Sequence, residues 1–428
     1  MRAATGVGRT GAAAVKRREA ARASVGRAGA AALKRRESAR ASADRTGVTI
    51  SPQLHAASAR TNAPAQALST ASSPLSRRAA APTAPRPLGR TAALRRALLD
   101  WYRRERRDLP WRHDRDPYRV WLSEILCQQT RAEVAAVAFE RFVLAFPDLD
   151  ALARADEDAV LSLWSGLGYY SRARCLLRAA QSLRAAGHHN VPDDSTRLRA
   201  LPGVGPYTAA AILSIAFGHP LAAVDGNVIR VVSRLARLDR PDARGEPHAT
   251  LAQELLDPAH AGDWNQAMME LGARICTPRA PRCPACPIAT ACQARTAGNP
   301  LDHPPPKPRR AREIVGVEIT VTTDPAGRLL LERGAFPLLR HLWLPPARLR
   351  SGDLSSYDFK HHILHRELRV TLRSQHTASR PHRAPRVGQA SVIERRFFEP
   401  TALGRIGRSS LLAKALHHAA LATHPEQG

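Results

Sequence analysis

Apolar residues recur at helical spacing through the middle of the chain. In the segment AALRRALLDWYRRERR, Leu94, Leu98 and Trp101 share one helical face, and Thr91 before them is a suitable N-cap. Similar segments follow one another up to the cysteine-rich region, while strand-like alternation is nearly absent. We therefore predict one all-helical unit over residues 91–300.

The pattern changes to alternation in the last quarter of the chain. Val315, Val317, Ile319 and Val321 fall on one face of IVGVEITVTT, DPAG supplies a turn, and RLLLERG runs back. This arrangement predicts a β-hairpin. With RELRVTLRS as a further strand and SSLLAKALHHAAL as a closing helix, we predict a small α+β domain over residues 313–422.

Two segments lack the pattern of a folded domain. The proline-rich stretch HPPPKPRR predicts a stiff linker over residues 301–312. Residues 1–90 are rich in Ala, Arg, Ser and Thr, and AAAVKRRE recurs in them as AAALKRRE, so they cannot build a core. Three interpretations of this disordered basic extension stay open: a tail that tethers DNA, an Arg-rich transit peptide, or sequence upstream of a misassigned start.

The charge of the chain is strongly positive. Lys and Arg total 65 against 37 acids, a net charge of +28, and residues 1–90 supply half of it with 17 basic and 3 acidic residues. This balance suits a polyanionic partner such as nucleic acid, although a solvated basic surface is the ordinary alternative. No apolar run approaches the length of a membrane span or of a secretory signal, so we expect a cytoplasmic protein that binds no membrane.

Four of the six cysteines form one string. Cys276, Cys283, Cys286 and Cys292 follow the spacing C-x6-C-x2-C-x5-C. So many thiolates close together require a cation, which indicates a metal site in a reducing compartment. Zinc sites usually contain two CxxC-like pairs, and this string has one, so the spacing favours an iron–sulfur cluster over a zinc knuckle.

A glycine hairpin and an aspartate follow one another in the helical region. LPGVGPYTA places Gly203 and Gly205 between helices, where exposed backbone amides can hold a phosphate, although a plain turn has the same appearance. In VDGNVIRV, Asp225 and Asn227 open the next helix. An aspartate at this position is also an ordinary N-cap.

LSEILCQQT places one carboxylate in an otherwise apolar run. Glu124 shares a helical stripe with Trp121 and Gln128. A glutamate on a helix is usually solvated, but an apolar setting would raise its pKa, as a general acid near neutral pH requires.

Together these motifs resemble the helix-hairpin-helix DNA glycosylases that carry a 4Fe-4S cluster. LPWR, VWLSEILCQQT, GLGYYSRAR, GVGPYTAAAIL, DGNVIRV and NQAMMELGARIC narrow the resemblance to the adenine DNA glycosylase branch, over residues 94–295. The resemblance implies a mainly α glycosylase domain with an iron–sulfur cluster loop, followed by a small Nudix-like α+β domain. It also implies action on double-stranded DNA containing A:8-oxoG or A:G mispairs, and we expect a monomer.

The resemblance assigns catalytic roles to three residues. Glu124 matches the acid that protonates adenine as a leaving group and later helps to activate water. Asp225 matches the carboxylate that stabilises an oxocarbenium-like or covalent sugar intermediate, so that the pair divides the work as glycosidase carboxylates do. Tyr207 matches a tyrosine that supports the acid.

The resemblance also assigns contacts with DNA. Gln129 and Tyr169 match wedge residues that fill the duplex when a base is extruded, and Trp111 and Arg112 match residues that line the adenine pocket or contact the opposite base. To these we add, as further DNA contacts, Gln128, Thr130, Gly203, Gly205 and Asn227.

Lyases of the superfamily carry a lysine nucleophile in the hairpin. Tyr207 occupies that position, and no lysine occurs between Lys34 and Lys307, so we predict a monofunctional glycosylase that hydrolyses the N-glycosidic bond. Two alternatives stay open: an endonuclease III-like glycosylase acting on oxidised pyrimidines, and a DNA-binding iron–sulfur protein without turnover.

The Nudix-like resemblance of residues 313–422 is the weakest. In DFKHHILHREL, Ile363, Leu364 and His365 align with a Phe-Ser-His triplet that reads 8-oxoguanine, and His365 alone keeps its identity. Ordinary strand core is the alternative for the three residues. The Gly and Glu residues of a Nudix hydrolase box are absent, so we expect no metal-dependent pyrophosphate hydrolysis.

Overall fold

The computed structural model describes residues 91–239, 246–306, 311–377, 387–388 and 391–423. The predicted extension at 1–90 and residues 307–310 of the predicted linker lie outside them. Between 91 and 306, every regular element that is described is helical, as predicted. The helices are α1 (Thr91–Glu105), α2 (Pro117–Cys127), α3 (Ala132–Ala145), α4 (Leu149–Ala153), α5 (Glu157–Leu163), α6 (Ser171–Ala185), α7 (Ser195–Ala200), α8 (Pro206–Phe217), α9 (Gly226–Ala236), α10 (Glu246–Leu255), α11 (Ala261–Arg274) and α12 (Gln293–Thr296).

These helices pack into two apolar cores. Helices α2 to α8 form the first core, in which Trp121, Phe142 and Trp164 are fully buried. The second core joins α1 to α9, α10 and α11, where Leu98 packs with Trp264 and its neighbours. Because α1 precedes the first core in sequence but packs in the second, the chain passes twice between the cores. The cleft between them holds the candidate site.

A sheet and one helix build the C-terminal domain. The order of the main sheet is β4-β5-β1-β2-β8, with β3 also paired to β1. The elements are β1 (Glu313–Thr323), β2 (Leu329–Arg333), β3 (Ala347–Arg350), β4 (Phe359–Ile363), β5 (Arg366–His376), β6 (Val387–Gly388), β7 (Ser391–Val392), β8 (Glu394–Phe398) and α13 (Ser410–Thr423).

The predicted hairpin, further strand and closing helix are all present. Strands β1 and β2 pair antiparallel with Thr323 opposite Leu329, so DPAG forms the turn. RELRVTLRS lies in β5, which pairs parallel to β1 along its whole length. Val317 and Ile319 of β1 are buried against Leu411 and Leu412 of α13, which confirms the apolar face read from the alternation.

The residues Ile363, Leu364 and His365 form the end of β4 and the turn into β5. Leu364 has a left-handed backbone with φ of 58° and is 65% exposed. The strand-core alternative is therefore wrong for Leu364 and His365, since the chain reverses there. His365 Nε2 lies 3.4 Å from Glu313 Oε2.

Polar contacts join the C-terminal domain to the helical domain. Arg333 of β2 forms an ion pair with Asp158 of α5 at 3.0 Å. The hydroxyl of Tyr170 donates to the backbone oxygen of Arg408 at 2.7 Å. Tyr170 directly follows the predicted wedge residue Tyr169, so the C-terminal domain supports the segment that carries it.

None of the helices in the described ranges combines the length and apolarity needed to cross a bilayer.

Candidate active site

Glu124 is the buried acid of the cleft. It lies on α2 with 8% of its surface exposed, and Oε2 accepts a hydrogen bond of 2.6 Å from the Tyr207 hydroxyl. Burial raises the pKa of Glu124 to about 7, although the bond from Tyr207 opposes the shift. The desolvation expected from the apolar run is confirmed, and a substantial fraction of this carboxyl is protonated at neutral pH.

Tyr207 lies in the first turn of α8, directly after the glycine hairpin. Burial raises its pKa well above the usual value, and the neighbouring Glu124 carboxyl raises it further. The phenol therefore stays protonated and donates to Glu124 in either charge state of the acid. This contact places a fixed donor beside the Glu124 carboxyl.

Asp225 is the N-cap of α9. Its two oxygens accept hydrogen bonds of 2.7 Å from the Val228 backbone N–H and 2.7 Å from the Asn227 side-chain amide. Burial raises the pKa of Asp225, and these two bonds oppose the shift. The capping role is confirmed, and the same bonds hold the carboxylate in one orientation at the positive end of a helix.

A cleft of about 720 Å³ brings the predicted residues together. Glu124, Tyr207 and Asp225 all line it. The predicted DNA-contact residues in its wall are Trp111, Arg112, Gln128, Gln129, Thr130 and Asn227. Four predicted residues do not line the cleft. Tyr169 lies just before α6, Gly203 and Gly205 lie in the hairpin before α8, and His365 lies in the C-terminal domain.

The two wedge candidates share an unusual backbone conformation. Gln129 has φ of 57° and Tyr169 has φ of 47°, values that residues other than glycine rarely adopt. Arg172, which is 8% exposed, stabilises both segments because its guanidinium donates to the backbone oxygens of Gln128 and Gly168. The sequence reasoning missed Arg172, although a charged residue beside the apolar stripe of α6 was a usable signal.

The hairpin requires glycine at one of its two glycine positions. Gly203 has φ of 81°, and a Cβ there would lie only 2.8 Å from Cys175 Cβ. Gly205 is the N-cap of α8 in an extended conformation, and the helix begins at Pro206. The turn therefore presents the start of α8, where free backbone amides favour an anion.

Glu270 holds two arginines in the wall of the cleft, and the sequence reasoning missed it too. Its side chain is fully buried; Arg107 Nε donates to Oε1 at 2.9 Å and Arg112 Nη2 donates to Oε2 at 2.9 Å. Burial alone would raise the pKa of Glu270, but the two guanidinium groups hold it at about 2. Glu270 is thus anionic, and it fixes Arg112 beside the acid.

The cysteine string folds around one small cavity. Cys276, Cys283, Cys286 and Cys292 all line it, with Arg234 beside them. Arg234 Nη1 lies 3.3 Å from Cys276 Sγ. Within the described ranges, no three His, Cys, Asp or Glu side chains converge closely enough to hold a single metal ion.

An arginine connects this cysteine loop to the cleft. Arg230 Nε donates to the backbone oxygen of Cys276 at 2.7 Å, and Nη2 donates to Asn227 Oδ1 at 2.9 Å. Asn227 in turn donates to Asp225. The conformation of the cysteine loop therefore affects the position of the Asp225 carboxylate, through the hydrogen bonds of Arg230 and Asn227.

Comparison with known proteins agrees with this geometry. Residues 122–255 match the model of the HhH-GPD superfamily base excision DNA repair protein. The adenine DNA glycosylase of Rattus norvegicus is 46% identical over 214 residues, covering 47% of this chain and 42% of that protein. The adenine DNA glycosylase of Homo sapiens is 41% identical over 227 residues, covering 49% of this chain and 41% of that protein.

Among solved structures, a thermostable thymine-DNA glycosylase is 28% identical, with a TM-score of 0.43, over 48% of this chain and 97% of that one. The chain spans less than half the length of the rat and human relatives that it matches. The predicted resemblance to the helix-hairpin-helix glycosylases is confirmed, and residues 122–255, which carry Glu124, Tyr207 and Asp225, belong to the HhH-GPD superfamily of base excision DNA repair proteins.

Proposed function

We propose that the chain is an adenine DNA glycosylase that removes adenine mispaired with 8-oxoguanine or guanine by hydrolysis of the N-glycosidic bond. The observation that carries the proposal is the buried, Tyr207-bonded Glu124 that shares one cleft with the capped Asp225. The relatives over the same domain are adenine DNA glycosylases. We further propose that it acts as a monomer on nucleoid DNA.

Protonated Glu124 starts the reaction. Its proton passes to a ring nitrogen of the extruded adenine, and the electron pair of the bond between the sugar C1′ and N9 leaves with the base. The Glu124 carboxylate then accepts a proton from the water that adds to C1′, which restores the acid. Tyr207 keeps the carboxyl in place throughout, because its hydroxyl donates to either form.

Asp225 stabilises the sugar after the base departs. Positive charge develops at C1′ and the ring oxygen, and a carboxylate close to them lowers the energy of that state or bonds to C1′. The hydrogen bonds from Val228 and Asn227 hold Asp225 for this role without neutralising it. The proposed division of work requires a protonated Glu124 and an ionised Asp225 at the same pH.

The other predicted residues of the helical domain, inside and outside the cleft, serve extrusion of the base and contact with DNA. Gln129 and Tyr169 fill the space that the base leaves, and Trp111 and Arg112 line the pocket that receives it. Gly203 and Gly205 present backbone amides to a phosphate, with Gln128, Thr130 and Asn227 as further contacts. The left-handed backbones at Gln129 and Tyr169, both fixed by Arg172, support the wedge role.

The four cysteines are proposed to hold a 4Fe-4S cluster. Their donor chemistry suits iron, all four line one small cavity, and their C-x6-C-x2-C-x5-C spacing favours a cluster. When bound, such a cluster contributes structural support to its loop. Cys276 and Arg230 then carry that support to the start of α9.

Metal analysis tests the cluster. We expect purified protein to contain about four iron atoms per chain and no stoichiometric zinc. Cys283→Ser should lose most of the iron and most of the soluble yield, because a lost ligand removes the support of the loop. Cys175→Ser, a cysteine outside the string, should keep both. Stoichiometric zinc without iron, or a fully iron-loaded Cys283→Ser protein, would contradict the assignment.

The C-terminal domain is proposed to be Nudix-like and to sense 8-oxoguanine through His365. The β4–β5 turn presents this residue beside an exposed Leu364, as a reading element requires. We expect His365→Ala to slow excision of adenine from A:8-oxoG roughly tenfold more than from A:G. The preference of the enzyme for A:8-oxoG over A:G should therefore become smaller. Competition kinetics on the two duplexes measure the ratio.

His362→Ala is the matched control for His365. His362 lies three residues earlier on β4, has a more exposed side chain, and faces Glu367 at 3.7 Å, as His365 faces Glu313 at 3.4 Å. Its loss should leave the preference unchanged. Equal ratios in wild type and His365→Ala would show that His365 does not read the lesion.

A panel of duplexes separates this function from its two alternatives. The protein should release adenine from A:8-oxoG and A:G, leave oxidised pyrimidines in place, and form no borohydride-trapped adduct, because Tyr207 stands where a lyase has lysine. Trapped adduct with an oxidised pyrimidine would identify the lyase. Mispair binding without release of any base would identify the non-catalytic protein.

A further inference from the structure

One face of the C-terminal sheet is basic. Helix α13 packs on the apolar face, and the opposite side of β1, β3, β4 and β5 carries polar and charged side chains. We call this the basic sheet face and define it by Arg348, Arg350, Lys360, Arg369 and Arg373. The sequence motifs gave it no role.

Strand register places these arginines together. Arg348 of β3 lies opposite Glu318 of β1, and Arg373 of β5 lies opposite Thr320. Because β3 and β5 flank β1, the two arginines lie on either side of it, about 10 Å apart across the strands and offset by roughly 7 Å along them.

A shielded carboxylate holds both arginine side chains. Glu318 is 15% exposed; its oxygens lie 3.5 Å from Arg348 and 2.9 Å from Arg373, whose side chains are 76% and 68% exposed. Arg350 is also fixed, since Nη1 donates to Thr371 Oγ1 at 2.8 Å. The guanidinium groups are thus positioned in advance while their outer faces stay open to solvent.

The cleft between these side chains has the wrong lining for a small organic ligand. It measures about 480 Å³, and its walls are Glu318, Thr320, Arg348, Leu349, Arg350, Ser351, Arg373 and Gln375. Pockets for small molecules are mostly apolar with a few polar groups. This cleft has the opposite composition, which suits a ligand recognised by charge and reached from open solvent.

We propose that the basic sheet face binds the phosphate backbone of duplex DNA. Arginine donates in a fixed fork that matches phosphate oxygens, and backbone contacts need no apolar wall. Three arginines against one glutamate leave the cleft with a net positive charge. The inference rests on the proposed function, since it takes duplex DNA as the substrate.

Salt-dependent binding of the full chain tests the inference. The probe is a short duplex with one A:8-oxoG pair, bound by the iron-loaded protein over a series of salt concentrations. We expect Arg348→Gln/Arg373→Gln to reduce the slope of log affinity against log salt by about 2, because each lost phosphate contact accounts for about 0.9. The rate of adenine excision by this double variant at saturating enzyme should equal that of wild type.

Arg154→Gln/Arg184→Gln is the matched control. These arginines likewise share one carboxylate, Asp150, at 3.9 and 2.8 Å, but they belong to the helical domain, with Arg184 near the end of α6 far from the wedge. Their loss should leave the slope at the wild-type value.

Three outcomes decide between explanations. Equal slopes for the two double variants, with normal adenine excision by wild type, would overturn this inference alone. Failure of wild type to release adenine would overturn the proposed function instead. Binding of a free nucleoside triphosphate that only Arg348→Gln/Arg373→Gln abolishes, with an unchanged duplex slope, would reassign the cleft to a small phosphate ligand.

Discussion

Glu124→Gln is expected to lower the single-turnover rate of adenine excision by at least ~1,000-fold, toward the upper end of the range for loss of a general acid. Glutamine keeps the shape of the side chain and can still accept from Tyr207, but it has no proton to give to the base. Binding of the A:8-oxoG duplex should stay near wild type, because the phosphate contacts lie elsewhere.

The pH dependence of the wild-type excision rate provides a second test of the acid role of Glu124. The proton on Glu124 is present below its pKa of about 7 and is lost above it. Excision limited by this acid should therefore fall as the pH rises through that value, and Glu124→Gln should lack the dependence.

Glu140→Gln is the matched control for this change. Glu140 is an exposed glutamate on α3, outside the lining of the cleft, so the same chemical substitution there should change neither rate nor binding. Appreciable turnover by Glu124→Gln, or an equal loss in both variants, would remove the acid role from Glu124.

Asp225→Asn is expected to lower the single-turnover rate by roughly 100-fold or more, because the developing positive charge at the sugar loses its carboxylate partner. Asparagine is as good an N-cap as aspartate, so α9 should still form. The rate should therefore fall while the melting temperature changes little, which separates a chemical role from a structural one.

Asp148→Asn supplies the control for capping. Asp148 caps α4 by accepting from the Ala151 N–H at 2.7 Å, the same type of contact that Asp225 makes with Val228. It lies outside the cleft lining, so its substitution should leave excision unchanged. A near-normal rate in Asp225→Asn would show that its carboxylate is only a cap.

Local patterns predicted the helical domain and the burial of Glu124 well. Helical spacing does not depend on distant residues, so the run from Thr91 onward and the apolar surroundings of Glu124 could be read directly. The N-cap role of Asp225 follows from the same local chemistry, because the bond it accepts comes from a residue three positions later.

Partners far apart in sequence could not be read in this way. Glu270 binds Arg107 across 163 residues, and Arg172 reaches the backbone of Gln128 across 44. No spacing rule connects such residues, since the packing of α11 and α6 brings them together. Glu270 and Arg172 are both charged residues in buried positions. A charged residue on the apolar side of a predicted helix is the sequence signal that could have identified them.

The sheet shows a similar limit. The alternation in β1 and β5 revealed two strands, but the parallel pairing between them depends on the path of the whole domain. Strand β4 was not predicted, and the turn at Leu364 interrupts what alternation alone presents as continuous strand core. Register then decides which arginines share the basic sheet face.

Release of free adenine is the most direct test of the central claim, that Glu124 and Asp225 excise adenine from mispaired DNA. Iron-loaded wild-type protein in excess over an A:8-oxoG duplex should release free adenine, detected by chromatography, and leave a strand that breaks only after alkali. Glu124→Gln should release none on the same timescale. Absence of free adenine with the wild-type protein, or its release by Glu124→Gln at a comparable rate, would contradict the account.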